Sequence, residues 1–121
     1  LLGIATSNDR VLAEAALKAQ GIFGYFDSVR TSCEVAAGKP APDVYLKVAE
    51  DLSVSPSSCL VFEDVPNGIL AGKNAGMEVC AVDDAFSRPD EQEKKRLADY
   101  FIHDFYEIRD NTYERCGQNG K

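Results

Sequence analysis

Short apolar runs alternate with longer amphipathic stretches along most of this 121-residue chain, and no other property of the sequence narrows its fold as far. LLGIATS (1–7) begins apolar and turns polar at its end. Residues 9–20 then place Val11, Leu12, Ala15, Ala16 and Ala19 at helical spacing, with Gly21 as a stop signal. FDSVRT (26–31) reads as a weaker strand. Residues 42–52 read as a helix: Pro42 suits a first turn, Asp43 sits beside the positive end of the helix, and Val44, Val48, Ala49 and Leu52 share a face. CLVFED (59–64) reads as a buried strand ending in two acids. A helix over 66–75, opened by Pro66 and closed by Gly76, leads into a strand, MEVCAVD (77–83). A helical stretch at about 89–98 precedes a short strand, ADYFIH (98–103). Strand and helix in regular exchange, with short connections, predict an α/β fold that is doubly wound, a parallel sheet with helices on both faces. RDNTYERCGQNGK lacks apolar periodicity, so the expected layout is a core over 1–108 and a polar, mobile tail over 109–121.

Composition bounds the classes of function. With 45% apolar and 27% charged residues the chain supports one core without disulfide or zinc staples. Its net charge is −7 and its lysines and arginines are scattered, a poor match for a phosphate backbone, so no nucleic acid partner is expected. No apolar run approaches the ~18 residues of a spanning helix and no basic-plus-apolar leader is present, so no membrane partner is expected either. Cys33, Cys59, Cys80 and Cys116 form no CxxC pair, which points to a reducing, cytoplasmic setting. The first residue is Leu1 and the single Met is Met77, so processing or truncation of a longer chain is expected.

In open α/β sheets ligands bind beyond the carboxyl ends of the strands. Thr6, Ser7 and Asn8 follow the first strand, Glu63 and Asp64 close the third, and Gly38-Lys39-Pro40-Ala41-Pro42-Asp43 carries one lysine into a helix start. Hydroxyls, an ammonium and two carboxylates are thus expected on one sheet edge, a set suited to a phosphate held with a divalent cation. Thr6 and the backbone around Ser7 and Asn8 are placed to donate to phosphoryl oxygens at a helix N-terminus. Lys39 supplies positive charge. Two adjacent acids near an anion site call for a hard cation such as Mg2+. Singly, each feature has a plainer use: Thr-Ser-Asn as a helix cap, Lys39 as a solvated lysine, Glu63-Asp64 as a turn before Pro66. Capping alone has no need of a lysine and two acids on the same edge.

Ile4-Ala5-Thr6-Ser7-Asn8, Gly24-Tyr25-Phe26-Asp27, Gly38 to Asp43, Phe62 to Ile69 and Ala75-Gly76-Met77, in this order and spacing, resemble the core of haloacid dehalogenase superfamily hydrolases, in particular the beta-phosphoglucomutase and phosphoglycolate-phosphatase-like group. The resemblance covers residues 1 to about 108 and implies a Rossmann-like sheet. It implies that Thr6 binds the transferring phosphoryl group with Ser7 and Asn8 beside it, that Lys39 steadies the nucleophile and the phosphoryl charge, and that Glu63 and Asp64 bind Mg2+. Asn67 matches a small polar position near the metal loop.

The family's first motif, DxDx(T/V), which carries the nucleophilic aspartate, is absent; Asp83-Asp84 follows the wrong strand. The resemblance therefore implies that the first central strand and the substrate-selecting cap lie outside this chain. An N-terminal segment or a second chain is expected to fill the place between the strands ending at Thr6 and Glu63. The expected activity is phosphoryl transfer on a small phosphorylated metabolite through an aspartyl-phosphate formed upstream, with this chain alone inactive. A non-catalytic binding or assembly domain on the same scaffold is the alternative. A nicotinamide-type nucleotide site lacks its GxGxxG.

Overall fold

The computed structural model describes residues 1–116. In it the apolar runs become strands β1 (Gly3–Thr6), β2 (Ser28–Thr31), β3 (Leu60–Glu63), β4 (Glu78–Val82) and β5 (Tyr100–Ile102). The amphipathic stretches become helices α1 (Arg10–Ala19), α2 (Asp43–Leu52), α3 (Pro66–Asn74) and α4 (Glu91–Leu97). The expected α/β alternation is present, each element falling within about two residues of its sequence-based range.

The strands pair in two groups. β1 and β2 run parallel, with Ile4 opposite Val29 and Thr6 opposite Thr31. β3, β4 and β5 run parallel, with Glu63 opposite Ala81 and Val82 opposite Ile102. Among the described residues β1 and β3 do not pair with each other.

The C-terminal stretch corrects the sequence-based expectation of a mobile tail from residue 109. It contains a short helix, α5 (Tyr106–Arg109), and a two-residue strand, β6 (Glu114–Arg115), that joins β5 antiparallel with Glu114 opposite Phe101. The pairing rests on backbone hydrogen bonds, which need no apolar period in the sequence. The Cys116 amide extends it by donating to the Asp99 carbonyl at 2.9 Å. The remainder of the expected tail, 117–121, lies outside the described residues.

The core lies between the sheet and a helical layer. α2 packs on β1 and β2, α3 on β3 and β4, and α3 touches both α2 and α4. Val44 and Ala49 from α2, Ile69 and Ala71 from α3, Val79 and Ala81 from β4 and Phe101 from β5 are buried together. On the opposite face Phe62 meets Phe105, just before α5, with ring centroids 5.1 Å apart. Period-2 alternation puts Val61 and Glu63 toward α3 and leaves Leu60 and Phe62 on the other side.

Local chemistry sets the helix ends. Pro66 occupies the first turn of α3, where its missing N–H costs nothing, and Gly76 follows that helix at φ 82°, a conformation open to glycine. α1 begins one residue later than the Thr-Ser-Asn run suggests. Its cap is Asp9, whose Oδ1 accepts from the Leu12 amide at 2.9 Å.

Candidate active site

Lys39 is the residue that joins the two groups of strands. Its loop, with a cis Lys39–Pro40 peptide, enters α2 and is tied to α3 by the Asn74 side-chain amide, which donates to the Pro40 carbonyl at 3.1 Å. From there Lys39 Nζ donates to the Ala5 carbonyl near the end of β1 at 3.2 Å and to Glu63 Oε2 at the end of β3. The carboxyl ends of β1 and β3 therefore lie within reach of one ammonium.

Glu63 is buried and Asp64 is exposed, so the two acids occupy different environments. Glu63 Oε2 takes hydrogen bonds from both Lys39 Nζ and the Tyr45 hydroxyl. The Lys39 ammonium also stands 4.9 Å from the centre of the Tyr45 ring, a cation–π distance. Burial first, and the Glu63 charge second, raise the Tyr45 hydroxyl well above the usual tyrosine range, so it remains a donor. Gly68 in α3 makes room for this group: a Cβ there would overlap the Glu63 carboxylate. Asp64, one residue on, has the opposite strand parity and carries its carboxylate to solvent.

The other expected residues sit on the same edge in local structure. The Thr6 Oγ1 accepts from the Asn8 amide at 3.1 Å, closing a tight turn in which Ser7 and Asn8 are exposed. The Thr6 carbonyl accepts from Ser32 Oγ at 3.4 Å. Asn67 is exposed in the first turn of α3. Lys39 and Glu63 thus touch, Asp64 adjoins them in sequence, and Thr6 follows the Ala5 carbonyl that Lys39 grips; among the described residues no hydrogen bond joins Ser7, Asn8 or Asn67 to that pair. Among the described residues no three His, Cys, Asp or Glu side chains cluster closely enough to hold a metal ion alone.

Sequence reasoning missed Tyr45. The signal was there: Tyr45 lies on the stripe of Ala49 and Leu52, and it begins a turn after the lysine loop.

A lysine and two acids at the carboxyl edge of parallel strands in an α/β fold are the arrangement of a class of hydrolase cores, and comparison with known proteins assigns the chain to one. A family model described as haloacid dehalogenase-like hydrolase matches residues 1–76. The chain belongs to that family. It is 42% identical over 81 residues to the fructose-1-phosphate phosphatase YqaB of Escherichia coli, covering 67% of this chain and 43% of that protein. It is 38% identical over 108 residues to the validoxylamine A 7'-phosphate phosphatase of Streptomyces hygroscopicus subsp. limoneus, covering 89% and 49%. The crystal structure of a beta-phosphoglucomutase from Clostridium difficile superposes with a TM-score of 0.70 at 25% identity, over 91% of this chain and 48% of that one. The chain spans half or less of the length of these relatives, and it falls in the phosphatase and phosphomutase group that its motifs resemble. Among the described residues no helix is long and apolar enough to cross a membrane.

Proposed function

We propose that this chain forms the phosphate- and metal-binding part of a cytoplasmic, Mg2+-dependent phosphatase or phosphomutase acting on a small phosphorylated metabolite. The observation that carries the reading is the Lys39 ammonium, held at 12% exposure between the Ala5 carbonyl and Glu63 at the carboxyl ends of two strands. Glu63 and Tyr45 fix that ammonium, and a fixed charge stabilises charge developing on a phosphoryl group without reorganising first. Thr6, with the turn through Ser7 and Asn8, contributes hydrogen-bond donors on the β1 side. Asn67 contributes a further polar group beside α3.

The carboxylates fit Mg2+ by the chemistry of their oxygen donors. Mg2+ is commonly bound through one or two carboxylates, with waters and substrate phosphate completing the set. Asp64, exposed and unpaired by any lysine or arginine among the described residues, is the principal ligand in this reading, with Glu63 beside it. When bound, the ion offsets the negative charge of Asp64 and of the phosphoryl group.

The nucleophilic aspartate and its acid/base partner are supplied from outside this chain, on a strand that pairs between β1 and β3, contributed by a preceding segment or a second polypeptide. Among the described residues one edge of β1 and one edge of β3 pair with no strand, which supports that reading. The phosphoryl group passes to that aspartate as an aspartyl-phosphate while the substrate oxygen departs with a proton from the acid/base partner, and this chain by itself does not turn over. The test is Mg2+-dependent hydrolysis of an aryl phosphate by the intact protein and by its Asp64→Asn variant. A loss of at least about a hundredfold is expected. An unchanged rate in Asp64→Asn sinks this mechanism, and an intact protein that is itself inert leaves a binding or assembly domain.

A further inference from the structure

Lys94 is completely buried in α4, a stretch whose sequence, Glu-Gln-Glu-Lys-Lys-Arg, reads as a solvated face. No carboxylate pairs with it among the described residues. Its Nζ donates to the Val82 carbonyl at the end of β4, at 2.7 Å, and to Ser87 Oγ at 2.8 Å. The Phe101 ring centre stands 6.0 Å away. Ser87 is itself 1% exposed, and its hydroxyl donates onward to the backbone carbonyl of Asp64 at 2.6 Å. A continuous chain of hydrogen bonds thus runs from a buried ammonium, through one hydroxyl, to the peptide that carries the exposed acid.

Asp83 lies within electrostatic range of Lys94 but is ion-paired to Arg88, and burying an ammonium with no salt bridge of its own costs stability that an apolar side chain of similar length would not. Packing therefore gives no account of a lysine here, whereas its hydrogen bonds do. They fix the Ser87 hydroxyl in one rotamer, and that hydroxyl fixes the plane of the peptide after Asp64. The loop in between is knitted independently, by Arg88 on Asp83 at 2.9 Å and by the Phe86 amide on Asp84 Oδ2 at 3.0 Å, so Ser87 arrives on a firm support.

We infer that Lys94 and Ser87 are positioning residues for the cation site: they hold the Asp64 backbone so that its carboxylate meets a divalent ion preorganised. The inference rests on the reading of Asp64 as a cation ligand. Supports of this kind behind a metal ligand are worth about 10- to 100-fold in metal affinity.

The experiment measures binding of Mn2+ alone to the intact protein, by electron paramagnetic resonance of the free ion, for the parent and for Ser87→Ala, Ser87→Thr, Lys94→Met and Asp64→Asn. Ser87→Ala is expected to weaken binding about tenfold, and Ser87→Thr, which keeps the hydroxyl, to restore most of it. In turnover, Ser87→Ala raises the Mg2+ concentration for half-activation by a similar factor and leaves kcat at saturating Mg2+ within about twofold. If Lys94→Met fails to fold, Ser87→Ala carries the test, because it deletes a single buried atom. Parent-like Mn2+ affinity in Ser87→Ala, alongside a large loss in Asp64→Asn, overturns the inference and spares the site. Parent-like affinity in Asp64→Asn removes the site, and the inference with it.

Discussion

Lys39 and Glu63, 24 positions apart in sequence, meet as a salt bridge with only 12% and 8% of their side chains exposed. Removing one partner leaves the other charge buried. Lys39→Met is therefore expected to cost about 3–5 kcal/mol, read from the shift of the urea midpoint. The double variant Lys39→Met/Glu63→Met should recover most of that loss. Losses that simply add would show that the two groups do not depend on each other.

Gly68→Ala tests the same contact from the helix side. The new Cβ collides with the Glu63 carboxylate, which is pinned by Lys39 and Tyr45 and has little freedom to move away. The expected result is a loss of about 1–3 kcal/mol and weaker turnover in the intact protein. Thermal melting and an aryl phosphate assay are sufficient, and a variant as stable and active as the parent would place the carboxylate elsewhere.

Tyr45 gives a spectroscopic handle. Its hydroxyl is held above its ordinary value of 10.0 by burial and by the Glu63 charge. The unfolded chain loses this proton near pH 10 and the folded chain does not, so the contribution to stability is whole below about pH 10 and declines above it. Ultraviolet titration should show one of the five tyrosines ionising only as the protein unfolds, and Tyr45→Phe should abolish that step. A Tyr45→Phe titration identical to the parent's would refute the assignment.

At the acid end the group to follow is Asp51. Arg30 grips its carboxylate through Nε at 2.7 Å and Nη2 at 3.0 Å, and Ser28 Oγ adds a third bond at 2.7 Å. Together they lower it from 3.8 to about 2. The folded value is the depressed one, so the stabilisation is present above pH 3.8 and is lost as pH falls toward 2. Solvent screening keeps it to about 1 kcal/mol or less. Arg30→Met should flatten the stability profile between those limits, and an unchanged slope would assign the acid sensitivity to other carboxylates.

The sequence reads well wherever a single period or a punctuation residue decides the outcome. Pro66 and Gly76 bracket α3, and the apolar runs through Val61 and Val79 become paired neighbouring strands packed by that one helix. It reads poorly where a residue's fate depends on partners distant in the chain. Glu63 and Asp64 look like an equivalent pair, yet strand parity sends one inward to Lys39 and Tyr45 and the other to solvent. Extending the period of β3 by one residue would have shown this. Lys94 has no such signal, since its burial follows from Val82 and Ser87, twelve and seven positions away. The strand at Glu114 is invisible for a related reason: a two-residue edge strand is specified by its neighbour's backbone.

That last strand has a consequence for colloidal behaviour. Among the described residues β6 ends its sheet with Glu114 and Arg115, and β2, at the outer side of the smaller group, carries Arg30 in its middle. Charged side chains on exposed edges oppose the addition of foreign strands. The inner edges lack that guard: β1 reads Gly-Ile-Ala-Thr, and β3 offers Leu60 and Phe62 at 47% and 40% exposure. Self-association of the isolated chain is thereby given a direction, with growth blocked at the outer rims and open along the line that Lys39 crosses.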